Sequence, residues 1–314
     1  MKSFYKNALV ISAICIILGL GMTIGGAAKG GIDLFRRMVN DGELSFSYNG
    51  NSIGMDENSL GAWEKDTQDR DHADEVYEYE FKVSEYEIDN LDLSVGATAL
   101  WIEYKDTDSF HITIEKSKIG GNHSCEVKEN TLYVSSATEE VENILGDNKP
   151  HKIKLTIPKD YVFKEVKISL GAGNVEGEKL EAEQILADIG AGNMQIETMK
   201  AEKNIEVSVG AGNFEVEEIK AEELEIVCEA GRTYAQDTEV KKNVTLTCDA
   251  GYVYMDIKEN QESYNYYLEC SMGSISVGGE SHSGLAFRKA INNQVDRTVK
   301  AECNIGAIEI EFDE

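Results

Sequence analysis

Proline is almost absent from this chain: Pro150 and Pro158 are the only two in 314 residues, which rules out a long polyproline spacer. Positive charge is scarce as well. Lys and Arg number 30 against 58 Asp and Glu, for a formal net charge of −28, and such a surface repels nucleic-acid phosphates and anionic headgroups. No nucleic-acid partner is expected. The six cysteines contain no Cys-x-x-Cys pair, and His72, His111, His123, His151 and His282 show no His-Glu-x-x-His spacing, so the zinc signatures are missing and each histidine is expected at the surface. We expect no catalytic, cofactor-binding or metal-ligating set, and thus no enzyme.

What the chain does have begins with Ala8 to Ala28, about twenty-one residues without a charge, long enough to cross a bilayer core of about 30 Å. The default reading is a membrane anchor with a cytoplasmic N-terminus, since long C-terminal domains translocate largely regardless of flanking charge. A cleaved signal peptide is the competing reading, because Gly26 and Ala28 supply small residues for cleavage. Cys15 follows Ile14 in mid-span, which does not suit a lipoprotein site. Residues 1–30 are therefore read as stub and anchor. Residues 31–76 are read as a linker, its stretch Asn40 to Asp74 rich in Gly, Asn, Ser and Asp, with Asn49-Gly50 expected as a tight turn.

From Tyr77 onward apolar residues alternate with polar ones, as in Leu91, Leu93 and Val95, the period of strands with one buried face. The fold class is all-β. Gly-Ala-Gly-Asn occurs at Gly171, Gly190 and Gly210, and the series Ala172, Ala191, Ala211, Ala230, Ala250, Met272, Ile305 advances by 19, 20, 19, 20, 22 and 33. A motif recurring about every twenty residues marks a stacked repeat, so we expect a parallel β-solenoid or β-helix-like domain over 77–314. Its degenerate part is 77–165, with Leu91 to Glu103 as an early copy, and its regular repeats are 166–314.

Aligning the repeats on that alanine yields inward columns. Leu170, Ile189, Val209, Cys228, Cys248, Cys270 and Cys303 form one, and Ile168, Ala187, Val207, Ile226, Leu246, Leu268 and Ala301 another. The cysteines are read as small hydrophobes packed inside, with disulfides or a metal as the alternatives. The glycines are expected at corners needing positive φ, and Asn174, Asn193 and Asn213 as an amide ladder. Glu183, Glu202 and Glu222 share a column, read either as solvated carboxylates interleaved with Lys200 and Lys220 or as a calcium row. Glu176 stands where a dinucleotide fingerprint wants glycine. Asp313-Glu314 would guard an open final edge.

Ile88-Asp-Asn-Leu-Asp-Leu-Ser-Val-Gly-Ala97, Lys152-Ile-Lys-Leu-Thr-Ile-Pro-Lys159 and the Gly-Ala-Gly-Asn rungs resemble the bacterial "putative adhesin" family of β-strand-repeat proteins, a domain of unknown function. The resemblance covers Tyr77 to Glu314 and implies tethering to the bacterial cytoplasmic membrane and an envelope-surface or envelope-stress role, with no catalytic residues attached. The chain ends in Glu-Phe-Asp-Glu without a sortase-type tail, so wall attachment is not expected. The functional expectation is a single-pass protein with an extracytoplasmic domain, a non-enzymatic adhesin-like or envelope-sensing module with an unknown envelope partner. A carbohydrate-active solenoid enzyme and a purely structural spacer are the alternatives.

Overall fold

The computed structural model describes residues 45–48, 51–54, 75–116, 122–137, 152–283 and 286–313. The chain divides into two units, Met1–His72 and Ala73–Glu314. In the first, β1 (Ser45–Tyr48) pairs antiparallel with β2 (Asn51–Gly54), and Tyr48 lies opposite Asn51. The tight turn expected at Asn49-Gly50 lies outside the described residues. The expected anchor, Ala8 to Ala28, lies outside the described residues. Among the described residues no helix is long and apolar enough to cross a membrane.

The second unit is all-β. After β3 (Glu75–Lys82), the strands β4 (Asn90–Val95) and β5 (Ala99–Lys105) flank the first corner, and β6 (Ser109–Lys116), β7 (Asn122–Lys128), β8 (Thr131–Ala137) and β9 (Lys152–Pro158) follow. Then β10 (Phe163–Leu170) leads into four long strands, β11 (Asn174–Ile189), β12 (Asn193–Val209), β13 (Asn213–Cys228) and β14 (Arg232–Cys248). Each pairs parallel with the next, so that Leu170 meets Ile189, Ile189 meets Val209, and Val209 meets Cys228. Residues of one sequence column thus stack in one spatial column. Both inward columns are buried throughout, and a side chain in such a column can be removed from water only by the coil above and the coil below.

Sequence order and spatial order part company at both ends. β4 and β5 stack on β10 and β11, yet β8 and β9 return to cover their other edges in parallel. At the far end β15 (Tyr252–Ile257), β16 (Asn265–Cys270) and β17 (Ser274–Val277) precede β18 (Glu280–Ser283) and β19 (Phe287–Ile291), and the chain closes with β20 (Thr298–Cys303) and β21 (Ala307–Phe312). The final pair slides in between: β20 lies between β14 and β16, and β21 between β15 and β17. The expectation that Asp313 guards an open edge is therefore corrected. Because every coil carries the same inward columns, the C-terminal coil fits two neighbours equally well, and the 33-residue spacing before Ile305 is the chain length taken by β18 and β19. Antiparallel strands cap the ends, β7 and β6 with β3 on one side, β19 and β18 on the other.

The alternation of 19 and 20 also has a cause. β11 and β13 have 16 residues, β12 and β14 have 17, and the extra residue sits in a bulge where Ala182 and Gln184 face Ala201 and Asn204, and where Ala221 and Glu223 face Val240 and Asn243. A bulge bends the strand. Each long strand so turns past a third buried side, Leu180 and Ala182 in β11 and Met199 and Ala201 in β12, as one continuous strand.

Corner glycines serve a different purpose from the expected positive φ, which among described glycines occurs at Gly278 and Gly279. A Cβ on Gly192 would lie 2.4 Å from the Gly173 carbonyl oxygen, on Gly212 2.2 Å from that of Gly192, and on Gly306 2.2 Å from that of Gly251. The backbones approach too closely for any side chain. Hence the third position of the motif is glycine in every later coil, while the first becomes Glu229, Asp249, Ser271 or Asn304, since a Cβ there is less crowded, its nearest backbone oxygen lying at 3.3 Å for Gly171, 3.0 Å for Gly190 and 2.9 Å for Gly210. Gly212→Ala should cost about 3 kcal/mol and Gly171→Ala under about 1 kcal/mol. Urea unfolding of the two variants measures the difference, and equal midpoints would contradict the close-approach account.

Candidate functional site

The buried interior holds the thiols. Cys228 lies opposite Cys248, Cys248 opposite Cys303, and Cys303 opposite Cys270, all buried and all free. In-register parallel neighbours keep their β-carbons one coil apart, about 4.8 Å, beyond the about 3.5–4.5 Å that a disulfide spans. Contact with the Cys248 sulfur, then burial, pushes the Cys228 thiol far up, and burial alone pushes Cys125 up to about 12. Protonated, enclosed thiols are poor nucleophiles. Native protein should leave the four column cysteines unalkylated by iodoacetamide and expose them all in guanidinium; rapid native labelling of any one would refute the packing.

The carboxylates divide into two populations. Those on the third side are matched by lysines: Lys203 and Lys242, next to or within the bulges, reach Glu183 and Glu222 at 2.6 Å each, and Lys200 reaches Glu181 at 2.8 Å. The expected row of like charges at Glu183, Glu202 and Glu222 is therefore interleaved with lysine, as the solvated reading has it. Among the described residues no group of three or more His, Cys, Asp or Glu is placed to hold a metal ion. The three histidines that are described are partly exposed, each against a neighbour: His123 tilts against Tyr77 at 4.5 Å and His282 stacks on Phe287 at 5.3 Å, while His111 lies 3.4 Å from the Thr107 hydroxyl.

Two outward surfaces remain. On the face leading into the corners a groove of about 600 Å³ crosses several coils, lined by Gln184, Asn204, Glu206, Glu225, Asn243 and Lys300 among others. Its polar atoms largely satisfy one another. Gln184 donates to Asn204 at 2.9 Å, Asn204 to Glu206 at 2.7 Å, Asn243 to Glu223 at 3.2 Å, and Lys300 pairs with Glu302 at 2.6 Å.

The face leaving the corners is built differently. Its first outward column is the expected amide ladder, with Asn213 Nδ2 donating to Asn193 Oδ1 at 2.8 Å and Asn193 Nδ2 to Asn174 Oδ1 at 3.3 Å. The column continues into Arg232 and Tyr252, and its neighbour reads Glu176, Gln195, Glu215, Tyr234, Tyr254. Tyr234 and Tyr254 stack at 4.5 Å and 13°, and the Arg232 guanidinium lies 5.9 Å from the Tyr234 ring centre. Arg232 Nε is buried with no hydrogen-bond partner. Sequence reading stopped at the asparagines; following their column one coil further would have found Arg232.

Charge on this face titrates with opposite signs. Burial raises the Glu103 carboxyl, but hydrogen bonds donated by Lys105, Thr156 and Lys154 outweigh it and hold the pKa low. Burial, then Glu217 and Glu178, raise that of Glu197. A depressed pKa contributes stability above the unfolded value of about 4.3, lost as pH falls; a raised one removes stability as pH rises past it. Glu103→Gln should lower the unfolding midpoint at pH 7 and Glu197→Gln should raise it, both differences shrinking below about pH 4. Matching signs in a urea series would contradict the assignment.

The stretch that carries these columns and corners matches a known family. The Toastrack DUF4097 profile matches residues 88–233 and 190–311, and the chain belongs to that family. Among solved structures, a "putative adhesin" from Bacteroides fragilis NCTC 9343 is 14% identical, with 76% of this chain and 97% of that one covered and a TM-score of 0.40. A "putative cell adhesion protein" from Clostridium sporogenes ATCC 15579 is 15% identical over 76% and 100%, TM-score 0.35, and a "putative lipid binding protein" from Parabacteroides distasonis ATCC 8503 is 14% identical over 77% and 98%, TM-score 0.39. At these scores the likenesses carry no functional argument. No curated protein matches the chain.

Proposed function

We propose that the protein is a membrane-anchored, extracytoplasmic β-solenoid that binds an envelope or surface partner without performing chemistry on it. The observation that carries this reading is the regularity of the outward columns. Parallel in-register stacking repeats one amide, carboxylate or aromatic group per coil, as in Asn174, Asn193 and Asn213, and a long array of equivalent weak contacts suits adhesion by multiplicity. Membership of the Toastrack family is consistent with it. Ala8 to Ala28 supplies the anchor, and a polyanionic partner is disfavoured by the net charge of −28.

Protease added to intact cells is expected to remove the domain that follows residue 77, and full protection of it would defeat the extracytoplasmic placement. Purified full-length chain in detergent should retain a defined component of envelope extracts reproducibly; retention of nothing over repeated trials would defeat the interaction module.

A further inference from the structure

The two outward faces differ in how far their polar groups are already engaged. In the groove, amide donates to amide or carboxylate, and lysine meets glutamate, so a ligand would have to displace internal partners one for one. On the face leaving the corners Arg232 makes no ion pair, its Nε has no hydrogen-bond partner, and Glu176, Gln195 and Glu215 are without one among the described residues. That Nε is enclosed, so a ligand oxygen meets the terminal N–H groups of the guanidinium, which form no ion pair.

Resting on the reading of the domain as an interaction module, we propose that this face binds a neutral, hydroxyl-rich glycan chain lying along the stack axis and centred on Arg232, Tyr234 and the Asn174–Asn193–Asn213 ladder.

Three features of the face fit that ligand together. Coils advance by about 4.8 Å, close to the advance of one pyranose ring along an extended chain, so successive sugars meet equivalent groups. An amide nitrogen carries two N–H donors, and the ladder engages one of those on Asn193; Gln195 beside it adds a second amide, and Glu176 and Glu215 accept from sugar hydroxyls. The Tyr234–Tyr254 pair stacks ring on ring, so its ring edges and phenol oxygens border the ladder and give a sugar further side contacts. Charge narrows the class. Glu176, Glu178, Glu197, Glu215 and Glu217 lie together on the coils of the ladder and repel a polyanion, whereas Arg232 at the centre of the face opposes a polycation.

The test uses full-length protein in detergent micelles, immobilised and exposed to dextran, laminarin, mannan and cellohexaose, with heparin and poly-lysine as charged probes. At least one neutral glycan should bind, and Arg232→Ala and Asn193→Ala should each weaken it about tenfold, while Lys203→Ala in the groove leaves binding unchanged. Unfolding midpoints taken on the same samples identify any variant that has lost its fold, and Tyr234→Phe and Arg232→Gln, which preserve bulk, replace such a variant. Binding of none of the four glycans, binding only of heparin or of poly-lysine, or wild-type affinity in folded Arg232 and Asn193 variants overturns the proposal. If those folded variants still retain the envelope component at wild-type level, this face is wrong and the interaction module stands; if the wild type retains nothing, the module itself fails.

Discussion

Backbone packed against backbone at the corners governs this molecule. Where one coil turns, its main chain passes within van der Waals contact of the carbonyl oxygen of the coil beneath, at Gly192 over Gly173, Gly212 over Gly192 and Gly251 over Gly231. That approach sets the coils at hydrogen-bonding distance on both sides of the corner, and the amides cross from coil to coil, Gly190 N to Leu170 O at 2.7 Å and Asn193 N to Gly173 O at 3.0 Å. The exception proves instructive. Thr98 occupies the glycine position in the first copy, and its side chain is tolerated because it meets the Ser136 hydroxyl of β8, where no described corner lies beneath it.

Once corners are fixed, every coil presents the same inward columns to its neighbours, and coils become interchangeable. Such interchangeability is what allows the first and last coils in sequence to lie one step inside the stack, each flanked on both edges. Open edges then belong to antiparallel strands such as β3, where Glu78 and Glu80 face solvent and Tyr79 and Phe81 pack against the core. Carboxylates pointing outward along an edge discourage addition of a further strand.

The same periodicity that buries the core also writes the surface. Lysines are concentrated on the bulged third side, where they neutralise glutamates across coils, and the face that leaves the corners keeps its carboxylates, amides and tyrosines largely without them. Segregation of this kind gives the domain two chemically distinct flanks, one whose polar groups satisfy one another and one where fewer do.

Much of this was legible in the amino-acid order. Leu170, Ile189, Val209 and Cys228 fall at one place in a period-two pattern, and a side chain that is buried in one coil must be buried in the next, so the stacking and the amide ladder followed from spacing alone. The alternation of 19 and 20 was visible too, but not that the odd residue is a bulge beside which Lys203 and Lys242 reach back to glutamate. Equally hidden was the place of β20 and β21, because identical columns fit more than one neighbour and periodicity is silent about order. The sequence by itself determined strand class, repeat length and which side chains face inward, since those depend on local alternation; only the tertiary structure decided which coils touch, why the third glycine is obligatory and where Arg232 stands, since those depend on backbones distant in the chain meeting in space.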